Sequence, residues 1–368
     1  MYATNKLVDN MLISNQDKII LKQAAINNNY NLLKQLSFYS HKGKTMYLNE
    51  YEYEYIEGDI YVTTIHIIGG GGIFQIFLDE DKKIIFNSRW WFNNGKGIPS
   101  LINHLNIFMN HVYNKLQLND IPNIGKDIIA IQAWFNTYGH YLDEMFVLSD
   151  FYNNLNKTHF KIMREYDTTK QENNNYKYIS DLLFENNYIN PYTFNAPILK
   201  FNNLFLIKHS IIMNTFHSFP INVKNMLINK LCLNTQVQVN ENNFSKIFIT
   251  RSIAKHMPRN LHNQIEIEDF FKTKLFNVLN PENIEFKDFI NILQKANVII
   301  ITWGSALTNL IFCNPGTKVI ILKSQSYENE SIVLFNKIIQ NNSLIVKVIL
   351  HKNNEIDLNE LNETIQLL

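Results

Sequence analysis

Cysteine is nearly absent. The 368 residues contain two, Cys232 and Cys313, too few for a disulfide framework or a cysteine-rich metal site. Both stand in apolar contexts, LINKLCLN and NLIFCN, which reads as reduced structural thiols. Neither sign of charge dominates. With 34 basic against 33 acidic residues and a formal net charge of +1, no global field draws the chain to nucleic acid, although a local phosphate site stays open. No apolar run reaches about 18 residues, because Asn, Lys or Gly interrupts the longest, and no basic-plus-apolar leader is present. The expectation is a cytoplasmic protein without a transmembrane segment, with peripheral association at a membrane left open. No G-x-G-x-x-G follows a strand with an acidic residue about 20 positions on, which weakens a nicotinamide-dependent dehydrogenase reading. Nor does a D-x-D pair stand out at a strand end as a holder of a divalent metal. No metal ligands are therefore assigned, and positive side chains with helix dipoles are expected in their place.

Hydrophobic residues at 46% and aromatics at 13% are ample for globular cores, and the length suits two domains. The boundaries read from the chain are 1–195 for an N-terminal domain and 196–368 for a C-terminal one. Within the first, Ile19, Ile20, Ala24, Ala25 and then Leu32, Leu33, Leu36 follow helical spacing. From about 47 to 91 the period becomes two. Tyr51, Tyr53 and Tyr55, then Ile60–Ile68, Ile73–Leu78 and Lys83–Asn87 form a β-meander, interrupted by Glu57-Gly58-Asp59, Gly69–Gly72 and Asp79-Glu80-Asp81. The four-glycine run is not a phosphate loop, since no helix follows and no Lys-Ser/Thr closes it. A hairpin turn or flap accounts for it better than ligand contact. Arg89-Trp90-Trp91 reads as a core edge in preference to a stacking site. Leu101–Leu116 is a predicted amphipathic helix, and 153–200, rich in Asn, Lys and Tyr, reads as the end of the first domain and a linker.

The stretch around which the chain is organised is Asn297–Leu322. Its β-branched run Val298–Ile301 has the character of a strand buried on both faces of a parallel sheet. Thr302-Trp303-Gly304-Ser305 ends it, a short helical pattern (Ala306, Leu307, Leu310, Ile311) follows, Asn314-Pro315-Gly316 breaks that pattern, and Val319–Leu322 is the next strand. This is a compact right-handed βαβ unit. Its turn sets Gly304 and Ser305 at a helix N-terminus, which suits an anion such as a diphosphate; close helix packing alone explains a glycine there equally well. A strand Phe244–Thr250 ends at Arg251. If it lies in the same parallel sheet, Arg251 and the Gly304 turn converge, a guanidinium fork above helix N–H groups. Lys255 and Arg259 follow on a basic stretch that a solvated loop also explains. In the first domain the predicted strand Ile128–Trp134 runs into Asn136-Thr137-Tyr138-Gly139-His140-Tyr141-Leu142-Asp143-Glu144. His140 shares a helical face with Asp143 and with Glu144, so a carboxylate can orient the imidazole, or each can act alone as a general base.

Three of these stretches resemble glycosyltransferase family 61, the DUF563-type enzymes. GSALTNLIFCNPGTKVIIL is similar to its G-A-G-L-T-N segment and P-G-T-x-V-I strand. Ile247–Phe270 is similar to its strand ending in Arg with a following basic stretch, and NTYGHYLD to its N-x-x-G-H-[FY]-x-x-[DE] segment. The resemblance implies two Rossmann-like domains in a GT-B-like arrangement, here with an N-terminal β-rich elaboration. It implies an inverting transfer of a hexosyl or pentosyl group from a nucleotide-sugar, a UDP-sugar being expected, to a hydroxyl of a glycan or glycoconjugate such as a growing polysaccharide. No cofactor and no metal are implied. Asp143 is the favoured base, with His140 and Glu144 beside it. Arg251, Arg259, Trp303, Gly304, Ser305, Ala306, Thr308 and Asn309 fall on the donor side, and Asn136, Tyr138 and Gly139 on the acceptor side. One departure stands out: Trp303 occupies a position where the family commonly has His, with Ser305-Ala306 for the family's Ala-Gly. Trp cannot take a proton or contact phosphate as His does, which keeps a catalytically inactive nucleotide-sugar or glycan-binding protein as the alternative.

Overall fold

A computed structural model describes residues 2–27, 29–49, 51–66, 73–85, 102–103, 105–109, 121–131, 138–155, 160–163, 174–185, 187–189, 198–207, 221–233, 244–251, 261–327, 338–340, 342–352 and 354–366. The described residues form a mixed α/β structure with three sheets, and the chain divides into two compact units. The first comprises 1–136, 148–169 and 184–217, the second 137–147, 170–183 and 218–368.

The first unit opens on α1 (Tyr2–Asp9) and α2 (Asn15–Asn27). Ser14 caps α2 by accepting from the Asp17 N–H, and the Asp17 carboxylate accepts in turn from the Ser14 hydroxyl and from Ser37. Strands β1 (Lys44–Leu48), β2 (Tyr51–Ile56), β3 (Ile60–His66), β4 (Ile73–Leu78) and β5 (Ile84–Ile85) follow. They do not form one meander. β3, β4 and β5 pair antiparallel in a four-stranded sheet, but β1 and β2 belong to a different, six-stranded sheet. The break falls at Glu57-Gly58-Asp59, where Gly58 has φ +106° and its N–H donates to Asn203. Alternation explains the strands but not their partners. Tyr51 and Tyr53 pack their rings edge-on against Phe151, and the Tyr51 hydroxyl donates to Asp150 at 2.7 Å, which draws β2 to the helix carrying those residues.

That helix is α3 (Tyr138–Leu155), which follows β6 (Asp127–Ile131). The Asn-rich stretch expected as a linker contains β7 (Phe160–Met163), α4 (Asn174–Phe184) and β8 (Tyr188–Ile189), and β9 (Ile198–Phe201) leads to β10 (Leu204–Ile207). The six-stranded order is β1-β2-β10-β6-β7-β8, parallel from β10 onward. β9 completes the four-stranded sheet beside β3. Period two decides the cores: Ile60 and Val62 join Phe77, Ile128, Phe201 and Leu206, whereas Tyr61, Ile76 and Leu78 face Ile20, Leu21 and Ala24 of α2. Asp79-Glu80-Asp81, expected from the sequence as a turn, has D-x-D spacing at the end of β4. The structure uses it as a turn. Asp79 accepts from the N–H groups of Asp81 and Lys83 and from the Ser40 hydroxyl, and Lys42 pairs with Glu80 and Asp81.

The second unit holds a wholly parallel sheet. After α5 (Ile221–Leu233) come β11 (Lys246–Ile249), α6 (Gln264–Thr273), β12 (Asn277–Leu279), α7 (Phe286–Lys295), β13 (Val298–Thr302), β14 (Lys318–Ser324), β15 (Ile345–His351) and α8 (Leu358–Gln366). The spatial order is β12-β11-β13-β14-β15. Numbered along this unit it reads 2-1-3-4-5, so the direction of winding reverses between β11 and β13. One face packs Phe248, Ile300, Ile320 and Leu322 against Ile267 and Phe271 of α6 and Leu361 of α8. α8 is capped by Asp357, which accepts from the Asn359 N–H, and it packs on this sheet. The alternate residues, including Ile247, Ile299, Ile301 and Ile321, are buried as well, which is why these strands read as unbroken apolar runs. Among the described residues no helix is long and apolar enough to cross a membrane.

His351 closes β15, buried, and among the described residues its Nδ1 has no hydrogen-bond partner. Burial holds its pKa below the ordinary imidazole value. The folded state therefore favours the neutral ring, while the unfolded chain takes up a proton below about pH 6.5. Stability is full above that pH and falls as the pH drops through the window beneath it. The urea midpoint should be lower at about pH 5.5 than at about pH 7.5, and His351→Gln should remove most of the difference.

Candidate functional site

β11 and β13 are parallel neighbours with Ile249 opposite Ile301, so Arg251 and the Trp303-Gly304 turn leave the sheet at the same edge. That edge is the carboxyl one, at the point where the winding reverses, which is where open α/β sheets hold ligands. Gly304 has φ +157° and ψ −167°, a region open essentially to glycine alone. A Cβ built on it would lie 1.6 Å from a terminal nitrogen of Arg251. The guanidinium thus rests directly on the glycine backbone, and two independent reasons require glycine at this position.

Arg251 is held from behind. The Gln264 amide, at the start of α6, donates to the Arg251 carbonyl at 2.6 Å and to the Thr250 hydroxyl at 2.9 Å, and that hydroxyl donates to Glu268 at 2.6 Å. The residue that follows the strand and the backbone of Arg251 are therefore tied to one helix. Gln264 was not legible as a site residue, because a glutamine opening an acidic helix looks like any solvated first turn.

The segment after Gly304, Ser305–Phe312, is a 3-10 helix and not an α-helix. Its connection returns along a five-residue strand about 16 Å long. Eight residues cover about 16 Å at the 3-10 rise and only about 12 Å at the α rise. The helical ladder starts with Leu307 N–H donating to the Gly304 carbonyl, so the N–H groups of Ser305 and Ala306 precede it. Leu307, Leu310, Ile311 and Phe312 are buried, as are Thr308 and Asn309, and Asn309 donates to the Ala306 carbonyl at 3.0 Å. Cys313 ends the segment fully buried, and burial pushes its thiol pKa up to about 12, which makes it inert.

Trp303 is 6% exposed, and its backbone N–H donates to the Leu322 carbonyl at 2.8 Å. One face of its indole carries the ammonium of Lys323, 4.1 Å from the ring centroid. Lys323 itself is 1% exposed. The residue gave one faint signal, as the cation that follows the apolar run Val319–Leu322, and there it passes for an ordinary strand end.

The N-terminal turns of α3 belong to the same unit as the Gly304 turn. Phe146 packs against Phe312, and Met145 accepts a 4.0 Å contact from the Ser180 hydroxyl. Glu144, between Asp143 and these two anchors, is buried. The backbones of Tyr138, Gly139, His140 and Asp143 are helical, but their side chains, like that of Ser305, lie outside the described residues. Asn136, Lys255 and Arg259 lie outside them entirely, as do Gly69–Gly72 and Arg89-Trp90-Trp91. The structure therefore brings together Arg251, Trp303 and Gly304, with the buried Thr308 and Asn309 and the half-buried Ala306 just beyond.

The fold is mixed α/β, and Arg251 and the Gly304 turn meet at the switch point of its parallel sheet. Residues 138–320 match the family model Glycosyltransferase 61, which supports membership of that family and, with it, a glycosyltransferase activity. The matched span runs from the first residue of α3 into β14 and includes Arg251 and Gly304. No curated protein matches the chain.

The double requirement at 304 is testable by thermal unfolding. Gly304→Ala should lower stability by about 1–3 kcal/mol from backbone conformation alone, and by more with Arg251 in place. In an Arg251→Ala background the added cost of Gly304→Ala should shrink. An equal cost in both backgrounds would show that the two residues do not press on each other.

Proposed function

We propose that the chain transfers a sugar from a nucleotide-sugar to a hydroxyl of a glycan or glycoconjugate acceptor, with inversion at the anomeric carbon. The observation that carries this reading is the Arg251 guanidinium seated on Gly304 at the switch point. A departing nucleoside diphosphate concentrates negative charge on its oxygens, and a preorganised guanidinium with backbone N–H groups beside it stabilises that charge without rearranging. The N–H groups of Ser305 and Ala306 are the proposed backbone donors, with Thr308 and Asn309 shaping the turn beneath them. Arg259 is assigned to the same donor.

The acceptor hydroxyl attacks the anomeric carbon as the bond from that carbon to the diphosphate oxygen breaks, its electron pair leaving with the diphosphate. The hydroxyl proton passes to a base on the first turns of α3. Asp143 is the proposed base, with His140 and Glu144 as neighbours that tune or orient it, and Asn136, Tyr138 and Gly139 on the acceptor side. The packing of Phe146 on Phe312 supports this assignment, because it ties the base-bearing turns to the segment that follows Gly304. A UDP-sugar donor, a GT-B-like arrangement of two Rossmann-like domains, metal-independent chemistry and a cytoplasmic setting complete the proposal.

The alternative, a protein that binds the nucleotide-sugar without turnover, is favoured by one observation. Trp303 is buried with Lys323 on its face, so this position offers no proton acceptor to the reaction.

Thermal stabilisation by a panel of nucleoside diphosphates and nucleotide-sugars tests the reading, since a ligand bound only by the folded state raises the melting temperature. A shift with UDP or a UDP-sugar that disappears in Arg251→Ala is the expected result. No shift with any nucleotide would sink the donor site. A shift together with release of free sugar or transfer to an acceptor, abolished in Asp143→Asn, separates the enzyme from the binder.

A further inference from the structure

Among the described residues of the parallel-sheet unit two lysines are buried, and they are buried differently. Lys224 of α5 donates to the Cys313 carbonyl at 3.2 Å and to the Asn342 side chain. Both acceptors lie before strands begin, at the sheet's amino edge, and burial pushes the lysine's pKa down. A structural cross-tie accounts for it. Lys323 lies at the other edge. It is one residue beyond Leu322, which pairs with Thr302, so it reaches the level of Trp303 at the carboxyl end of β13. Its ammonium stands over the Trp303 ring, and the residue after Trp303 is the glycine on which Arg251 rests.

A charged ammonium in a nearly closed site is costly. The preceding alternate positions of β14, Val319 and Ile321, show what ordinary packing demands there, an aliphatic side chain. An aromatic face offsets part of the cost of the cation, and in low dielectric the field of that cation extends further than it would in water. The Gly304 turn is thus bracketed by two basic side chains, Arg251 on its backbone and Lys323 behind its neighbouring indole.

We propose that Lys323, lodged on Trp303, is a positioning residue for the diphosphate of the donor. It supplies a second fixed positive charge that acts through the indole by its field, and Trp303 is its carrier and its shield from solvent. The proposal rests on the donor site assigned above and adds to it a residue and the chemical part of the donor that it recognises.

The experiment is calorimetric titration of the full chain with UDP and with uridine, which lacks the diphosphate, for wild type, Lys323→Met and Lys323→Arg. The readout is the ratio of the two affinities, which a role in packing alone does not move. Lys323→Met should lower UDP affinity about tenfold and leave uridine unchanged, and Lys323→Arg should restore most of the ratio. Lys323→Gln, with a polar neutral terminus, is measured in the same way should the methionine variant fail to fold. An unchanged ratio in a folded neutral variant would overturn the role of Lys323 and leave the donor site standing. A wild-type chain that binds neither UDP nor uridine, nor any other nucleoside diphosphate, overturns both.

Discussion

The contact between the Arg251 guanidinium and the Gly304 backbone is the constraint on which the second unit depends. It exists only because two strands distant in sequence, β11 and β13, are parallel neighbours in register. Each needs an apolar run to be buried on both faces, and each must stop at the same level. The strands supply placement, and the chain beyond them supplies chemistry. Gln264 and Glu268 fix the end of β11 from one side, and the bond from Trp303 to Leu322 fixes the end of β13 from the other. A backbone so tied keeps the base of the Arg251 side chain in place when an anion arrives, which lowers the ordering cost of binding.

Burial and charge are in tension throughout this edge. Thr302, Thr308, Asn309 and Lys323 are all buried polar groups within a short stretch of chain, where apolar residues would make a more stable sheet. Natural cores accept such groups where their hydrogen bonds are met or where a function holds them. Asn309 illustrates the first case, bonded to Ala306 within its own turn. The contrast with the first unit is instructive. There Asp17 and Asp79 are buried to close turns and helix ends, and their bonds are local or join adjacent segments.

Much of the parallel unit was legible in the sequence because its strands are unbroken β-branched runs ended by small or polar residues. Val298–Ile301, the turn at Gly304, the return at Asn314-Pro315-Gly316 and the approach of Arg251 all follow from that pattern. The helix type did not. Apolar residues at 306, 307, 310 and 311 share one face at a period of 3.6 and spread round the axis at a period of 3, so the pattern pointed to an α-helix, whereas Leu307–Phe312 are all buried. Pairing partners were also hidden: alternation at Tyr51, Tyr53 and Tyr55 gives a face, not a neighbour, so β2 could not be assigned to its sheet. The run of Asn and Lys around α4 masked a helix whose buried residues include Ile179, Ser180, Leu183 and Phe184. Lys323 was invisible for the opposite reason, since a lysine at a strand end is unremarkable until its burial is known.

The 3-10 segment after Gly304 works as a ruler. Its length matches the strand it runs back along, and its three-residue period keeps Leu307 and Leu310 on one side, both buried. Adding one residue would rotate everything downstream by about a third of a turn. Adding three would restore the phase but overshoot the sheet by about 6 Å. Neither insertion nor deletion has a cheap solution here, so descent can explore this stretch by substitution while its length stays frozen, and divergence in chain length is channelled into the loops elsewhere.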